Sequence, residues 1–188
     1  MPRSRALVLA LALLAVAGLV GGAPPSPSPS PSPSPSPSPA PPACDGPEYR
    51  QFDFWLGDWN VYSPDGTLAG TNDVTREMDG CVRQEHWVAA GPPPQRGSSF
   101  NTWSPAFRRW HQTWVDSTGG FLLLDGELKD GVMILSGDMP ARSGGGTVRN
   151  RIAWSVLPGG RVRQLWERSR DGAASWAVVF DGTYVRKK

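Results

Sequence analysis

From residue 44 onwards, hydrophobic and polar positions alternate in short runs that are separated by turn dipeptides. Asp-Gly and Gly-Gly supply the positive φ angles that tight hairpin turns require, and they recur at 65–66, 79–80, 119–120, 125–126, 130–131, 159–160, 171–172 and 181–182. The runs between these turns predict strands at 54–62, 67–77, 82–89, 98–103, 109–116, 121–127, 132–138, 147–156, 161–169 and 176–185. About ten sequential strands without a helical period predict an all-β fold. An antiparallel up-and-down barrel is favoured over a sandwich, because closure leaves no free sheet edge.

Alternation within each predicted strand separates an inward face from an outward face. In 109–116, Trp110, Gln112 and Trp114 share the inward face, whereas His111 and Thr113 lie opposite them. The inward sets of later strands are predicted to be Ile152 with Trp154, Val162 with Gln164 and Trp166, and Trp176 with Val178, Phe180 and Tyr184. Glu85 and Trp87 form a further inward pair in 82–89. The interior is therefore expected to combine aromatic rings with polar groups.

Amides on an inward face help to distinguish a packed core from a barrel with an internal cavity. An unpaired buried polar group costs about 1–3 kcal/mol, so Gln112 and Gln164 do not suit a packed sandwich core. A barrel with an internal cavity accepts them as partners of a ligand or of water. Alternatively, they lie at the barrel ends in contact with solvent, and the sequence leaves both interpretations open.

The first 43 residues differ in character from the rest. Arg3 and Arg5 precede an uncharged run over 6–20 and small residues at 21–23, a pattern that predicts a signal peptide at 1–23. The following Ser-Pro repeat predicts a disordered, extended linker at 24–43. The barrel domain is then 44–188, and the protein is expected to be secreted or held in the periplasm or cell envelope. Membrane contact is expected only if the N-terminal segment is retained.

The two cysteines, Cys44 and Cys81, lie within the predicted domain. An even number of cysteines in an exported chain predicts a disulfide, and a loop of this length would contribute about 3–4 kcal/mol. A metal site is not predicted, because the chain has no CxxC pair and only His86 and His111 as histidines.

Charge excludes one class of partner. Residues 44–188 contain 17 basic and 17 acidic residues, so the net charge of +2 comes from Arg3 and Arg5. A neutral domain does not suit general nucleic-acid binding, which needs a basic excess. Charge is nevertheless divided along the domain, with −7 over 44–139 and +7 over 140–188. Four arginines, Arg149, Arg151, Arg161 and Arg163, are predicted on the outer face of one hairpin, where charge is normal for antiparallel strands.

The segment 51–61, with the sequence QFDFWLGDWNV, is the most distinctive in the chain. Together with NTWSP at 101–105, WHQTWVD at 110–116 and RNRI at 149–152, it resembles an exported bacterial family of unknown function with an FDFWLG-x-W opening motif. That family is similar to the calycins, the lipocalin-like barrels. The resemblance implies a barrel with an interior ligand site and brings no reaction. It also implies a structural role for the motif residues Phe54, Trp55, Gly57 and Trp59, with Trp59 closing one barrel end.

No catalytic residue or cofactor is predicted. A haem-binding calycin would need one axial histidine, for which His86 or His111 could serve. His111, however, lies on the face opposite the inward Trp110 and Trp114, so a structural role is expected for it. No nucleophile elbow, phosphate loop or dinucleotide fingerprint is present in the sequence. The carboxylates considered as acid–base groups are Asp53, Asp58, Glu85 and Asp116, and a structural role is expected for them.

The sequence thus predicts a secreted barrel that binds a small hydrophobic or amphipathic molecule in its interior. The predicted lining residues are Trp87, Trp110, Gln112, Trp114, Trp154, Gln164 and Trp166. One alternative is an enzyme of hydrolase or isomerase type on the same scaffold, which would need two carboxylates, or a carboxylate and a histidine, facing the cavity. The other is a structural envelope module without a ligand. The oligomeric state is left open.

Overall fold

A computed structural model describes residues 44–141 and 145–188. They form ten strands: β1 Gly57–Tyr62, β2 Leu68–Glu77, β3 Val82–Ala89, β4 Arg96–Ser104, β5 Arg109–Asp116, β6 Phe121–Lys129, β7 Val132–Pro140, β8 Thr147–Leu157, β9 Arg161–Ser169 and β10 Ala177–Arg186. Short 3-10 helices cover Pro47–Arg50, Asp53–Trp55 and Met78–Gly80. The predicted signal peptide (1–23) and linker (24–43) lie outside the described residues and stay predictions. Within the described ranges, no helix has the length and apolar character to cross a membrane.

The strands close into one antiparallel barrel in which each strand pairs with its neighbours in sequence. β10 then pairs with β1, with Trp59 opposite Arg186 and Tyr62 opposite Thr183. The prediction of an all-β up-and-down barrel is therefore confirmed.

The predicted first strand begins too early. Residues 53–55 form a 3-10 helix, and β1 starts only at Gly57. A 3-10 turn repeats about every three residues, which brings Phe52 and Trp55 to the same side, where both are fully buried. Gly57 then has a φ of 133°, which favours glycine, and a Cβ there would lie 2.2 Å from the guanidinium of Arg186.

A β-bulge corrects the predicted faces of the last strand. The pairing of β10 with β9 shifts between Val178 and Phe180, so alternation is reset at this point. Val178 is exposed, and the Arg151 guanidinium lies 3.9 Å from the ring centroid of Trp176. The prediction that Trp176 and Val178 share the inward face of Phe180 and Tyr184 is wrong.

An aromatic cluster fills one end of the barrel, called here the closed end. Its members are Phe52, Trp55, Trp59, Trp110 and Trp154, and all are buried. Phe52 stacks on Trp55 at 4.9 Å between ring centroids and meets Trp110 and Trp154 edge-on at 5.6 and 5.1 Å. The segment that precedes β1 thus acts as a plug whose aromatic side chains pack into the barrel.

The motif Gly57-x-Trp59 joins this plug to the strands. The indole Nε1 of Trp59 donates to the carbonyl oxygen of Trp55 at 2.9 Å. On its other side, the Arg186 guanidinium lies 4.3 Å from the Trp59 ring centroid, a cation–π contact across the β1–β10 pairing. Trp59 therefore connects the plug, the first strand and the last strand.

Two further contacts hold the plug. Cys44 and Cys81 form a disulfide, as predicted, which ties the start of the domain to the turn between β2 and β3. Asp53 accepts from Nε of the buried Arg83 at 2.9 Å and also from its Nη2. Burial lowers the pKa of Arg83 and the adjacent Asp53 carboxylate opposes this, so the pair keeps a buried charge neutralised.

The arginines of the β8–β9 hairpin lie outside the barrel. Arg149 pairs with Asp138 at 3.5 Å, Arg151 with Glu167 at 2.8 Å and Arg163 with Asp181 at 2.7 Å. Arg161 donates to the carbonyl oxygen of Pro158 at 3.1 Å. These cross-strand pairs agree with the interpretation of a charged outer face.

Candidate functional site

A cavity of about 420 Å³ occupies the half of the barrel away from the plug. It is bounded by side chains from eight strands and two adjoining turns: Ser63, Ala69, Glu85, Trp87, Ala89, Gln95, Arg96, Gln112, Trp114, Asp116, Leu122, Ile152, Gln164, Trp166, Val179, Phe180 and Tyr184. Ser63 follows the end of β1, and Ala89 and Asp116 end β3 and β5. The mouth therefore lies at the hairpin end opposite the aromatic cluster.

Four aromatic side chains form the wall of the cavity: Trp87, Trp114, Trp166 and Phe180. Strand glycines make room for two of them, because a Cβ at Gly97 would lie 2.1 Å from the Trp114 ring and one at Gly70 would lie 2.6 Å from the Trp87 ring. Trp87 and Phe180 meet edge-to-face at 5.8 Å.

The floor of the cavity is a chain of polar side chains centred on Glu85. Asn72 Nδ2 donates to one carboxylate oxygen of Glu85 at 2.8 Å, and Ser99 Oγ donates to the other at 2.7 Å. Asn101 Nδ2 donates to Ser99 Oγ at 2.8 Å, and Gln112 Nε2 donates to Asn101 Oδ1 at 2.8 Å. Register places these residues on consecutive strands β2 to β5, so backbone pairing brings them together.

The chain continues on the other side of Glu85. Asn72 Nδ2 also lies 3.3 Å from the Tyr184 hydroxyl, which in turn donates to Oε1 of Gln164. Tyr184 is buried, and burial followed by the negative charge of Glu85 raises its pKa well above the ordinary range. The tyrosine therefore stays protonated and acts as a hydrogen-bond donor.

Glu85 is the buried carboxyl of this site. Burial raises its pKa from an ordinary 4.5 to about 7, against the hydrogen bonds from Ser99 and Asn72, which lower it. The described part of the chain places no lysine, arginine or histidine within ion-pair distance of it. The carboxyl thus changes charge near neutral pH.

The raised pKa of Glu85 predicts a pH-dependent cost to the fold. The pKa of Glu85 is higher in the folded state than in the unfolded chain. Its contribution to the free energy of unfolding is therefore complete below about pH 4.5 and is lost as pH rises through 7. Glu85→Gln has no such charge to bury. Its free energy of unfolding relative to that of wild type should therefore rise by about 2 kcal/mol between pH 5 and pH 8.5. Urea unfolding of both proteins at the two pH values measures this gain. Glu127→Gln, an exposed carboxyl on β6, is the control, and an equal difference between Glu85→Gln and wild type at both pH values would contradict the prediction.

The structure brings together five of the seven residues predicted to line the cavity. Trp87, Gln112, Trp114, Gln164 and Trp166 border it, and Glu85 lies beside Trp87 as expected. Trp110 and Trp154 do not border it, because they lie lower on their strands within the aromatic cluster. Trp110 donates instead to the Gln51 side chain at 3.0 Å.

Sequence reasoning missed much of the polar floor. Asn72, Ser99 and Asn101 are buried polar residues at alternate positions, the same signal that identified Gln112 and Gln164. Alternation predicts that Phe180 faces inward, but it does not identify Phe180 as part of the cavity wall.

The remaining candidate groups are engaged elsewhere. His111 contacts Asp125 at 2.9 Å on the outer face, and Asp58 pairs with Lys187 at 2.7 Å. Asp116 accepts from the backbone amides of Thr118 and Gly120 at 2.8 and 3.0 Å. Burial alone would raise the Asp116 pKa, but the hydrogen bonds from the Thr118 hydroxyl and from these two amides outweigh it and lower the pKa. In the described ranges, no group of three His, Cys, Asp or Glu side chains could hold a metal ion.

The chain matches no protein-family model and no curated protein. The closed antiparallel barrel of the described residues is compatible with a calycin-like fold.

Proposed function

We propose that the protein is an exported barrel that binds a small hydrophobic or amphipathic molecule in its interior. We also propose that it belongs with the exported calycin-like family that has the FDFWLG-x-W motif. The observation that carries the proposed function is the cavity of about 420 Å³, in which aromatic walls surround a polar floor. Ligand sites typically have this size and composition, with few polar groups that fix orientation.

The division of the interior supports binding over a purely structural role. The closed end is packed with aromatic rings, whereas above the polar floor the rings of Trp114 and Trp166 border open space. The Cys44–Cys81 disulfide supports export, since such bonds persist mainly in oxidising compartments.

An enzyme is the less favoured alternative. Glu85 has the raised pKa that acid–base catalysis uses. The other carboxylate on the cavity wall, Asp116, instead accepts hydrogen bonds from the turn after β5. His111 lies on the outer face, so it does not supply the carboxylate–histidine pair that an enzyme on this scaffold would need.

Two measurements test the proposed function. Native mass spectrometry of the protein purified from its own host should show an added small-molecule mass. The neutral probe N-phenyl-1-naphthylamine should quench tryptophan fluorescence on titration, and Ala89→Trp at the mouth should weaken its affinity at least tenfold. Thr113→Trp on the outer face is the matched control and should leave the affinity unchanged. The absence of both an added mass and saturable probe binding, or equal affinity in Ala89→Trp, would overturn the proposal.

A further inference from the structure

Glu85 is the end point of the hydrogen bonds in the cavity floor. Both of its carboxylate oxygens accept, one from Asn72 and one from Ser99. Asn101 Nδ2 donates to the Ser99 oxygen at 2.8 Å, so the Ser99 hydroxyl hydrogen is directed at Glu85. A group surrounded by donors in this way is held as an acceptor, which is the role of an ionised carboxylate.

The negative charge of this carboxylate has no cationic partner among the described residues. Arg83 precedes it by two residues on β3 but forms an ion pair with Asp53 at the closed end. Arg96 and Asp116 lie at the mouth, and Tyr184 is neutral. Asp73 and His86, the charged and titratable neighbours on β2 and β3, are exposed on the outer face. A buried unpaired charge is costly, so a counter-charge at this position would be strongly stabilised.

The walls above Glu85 favour the same kind of counter-charge. Trp87, Trp114 and Trp166 border the space over the carboxyl, and aromatic faces attract cations through their quadrupole. The same surfaces accept an apolar body by burial. An anionic ligand would be repelled by the Glu85 carboxylate, whose burial reduces screening by solvent.

We infer that the cavity binds an organic cation, a molecule with a protonated amine on an apolar body, whose ammonium group pairs with Glu85 while the body packs against the three tryptophans. This inference rests on the proposed function and specifies the class of ligand.

The test compares three probes that share a 2-naphthylethyl body and differ in the terminal polar group: 2-(2-naphthyl)ethylamine, 2-(2-naphthyl)ethanol and 3-(2-naphthyl)propionate. Isothermal titration calorimetry with the full chain at pH 8 should show the amine binding at least tenfold more tightly than the alcohol, with the propionate weakest. Glu85→Gln should reduce the amine to the affinity of the alcohol and leave the alcohol within about twofold. Glu127→Gln, the exposed carboxyl on the outer face of β6, is the matched control and should keep the preference for the amine.

A second measurement needs no variant. If the amine pairs with the Glu85 carboxylate, its affinity for wild type should rise about tenfold from pH 6 to pH 8, because the pKa of Glu85 is about 7 and the amine is protonated throughout. The alcohol should show no such rise. This readout remains decisive if Glu85→Gln fails to fold.

The outcomes separate the two proposals. Equal or tighter binding of the alcohol or the propionate, a flat pH profile for the amine, an unchanged preference for the amine in Glu85→Gln, or loss of that preference in Glu127→Gln would overturn the inference. If N-phenyl-1-naphthylamine binds and the amine does not, the inference fails while the proposed function stands. If neither binds and no mass co-purifies, the proposed function itself fails.

Discussion

Replacing Trp154 with alanine is expected to lower the free energy of unfolding by about 4 kcal/mol. Trp154 is fully buried, and its ring lies 5.1 Å from that of Phe52 and 5.3 Å from that of Trp55. The plug is fixed at its start by the Cys44–Cys81 disulfide and at its end by β1. It therefore has little freedom to move into the space that the indole leaves. Guanidinium unfolding followed by far-UV circular dichroism measures the loss.

Trp114→Ala is the matched control for this prediction. Trp114 is of the same residue type but borders the cavity and is only partly buried, so its removal enlarges existing open space. The expected loss is about 1 kcal/mol, since less packed surface disappears. Equal losses for the two variants would mean that the cavity wall is packed as tightly as the closed end, against the division described above.

Removing the disulfide in a Cys44→Ser/Cys81→Ser double variant is expected to cost about 4 kcal/mol. The bridge closes a loop with a sequence separation of 37, and the cross-link limits the conformations of the unfolded chain. Urea unfolding of the variant and of wild type, each with and without reductant, provides the measurement. Reductant should bring wild type to the level of the variant and should leave the variant unchanged. A loss below about 1 kcal/mol would show that Phe52, Trp55 and Asp53 hold the plug without the cross-link.

The barrel was predictable because its signals are local. Turn dipeptides mark the hairpins, and alternation marks the faces, so strands such as 82–89, 109–116 and 161–169 agree with β3, β5 and β9 residue for residue. The disulfide followed from an even cysteine count in a chain predicted to be exported. These inferences need no knowledge of which strands meet across the barrel.

The depth of a side chain along the barrel was not predictable in this way. Alternation assigns Trp110 and Trp114 to one face, yet the first is packed under the plug and the second borders the cavity. The difference arises because the segment before β1 folds back into one end, which no periodicity reports. A single extra residue at the β10 bulge likewise reverses the face of Val178.

The polar floor depends on register between strands. Asn72 reaches Glu85 because β2 pairs with β3 so that Val74 lies opposite Glu85, and Ser99 lies directly opposite Glu85 on β4. A shift of one residue in either pairing would turn one partner outward. Alternation thus indicated that Glu85 faces inward, but not that Asn72 and Ser99 would both donate to its carboxylate.

The β1–β10 pairing differs from every other pairing in the barrel, because it joins the two ends of the domain. The other pairs connect consecutive strands and close short loops, whereas Trp59 meets Arg186 only when nearly the whole domain is in place. Loop-closure entropy grows with the length of chain enclosed, and non-local contacts slow folding. Hairpin formation is therefore expected to be the fast part of folding, and the meeting of the first and last strands, with the Trp59–Arg186 stack and the Asp58–Lys187 ion pair across it, the slow part.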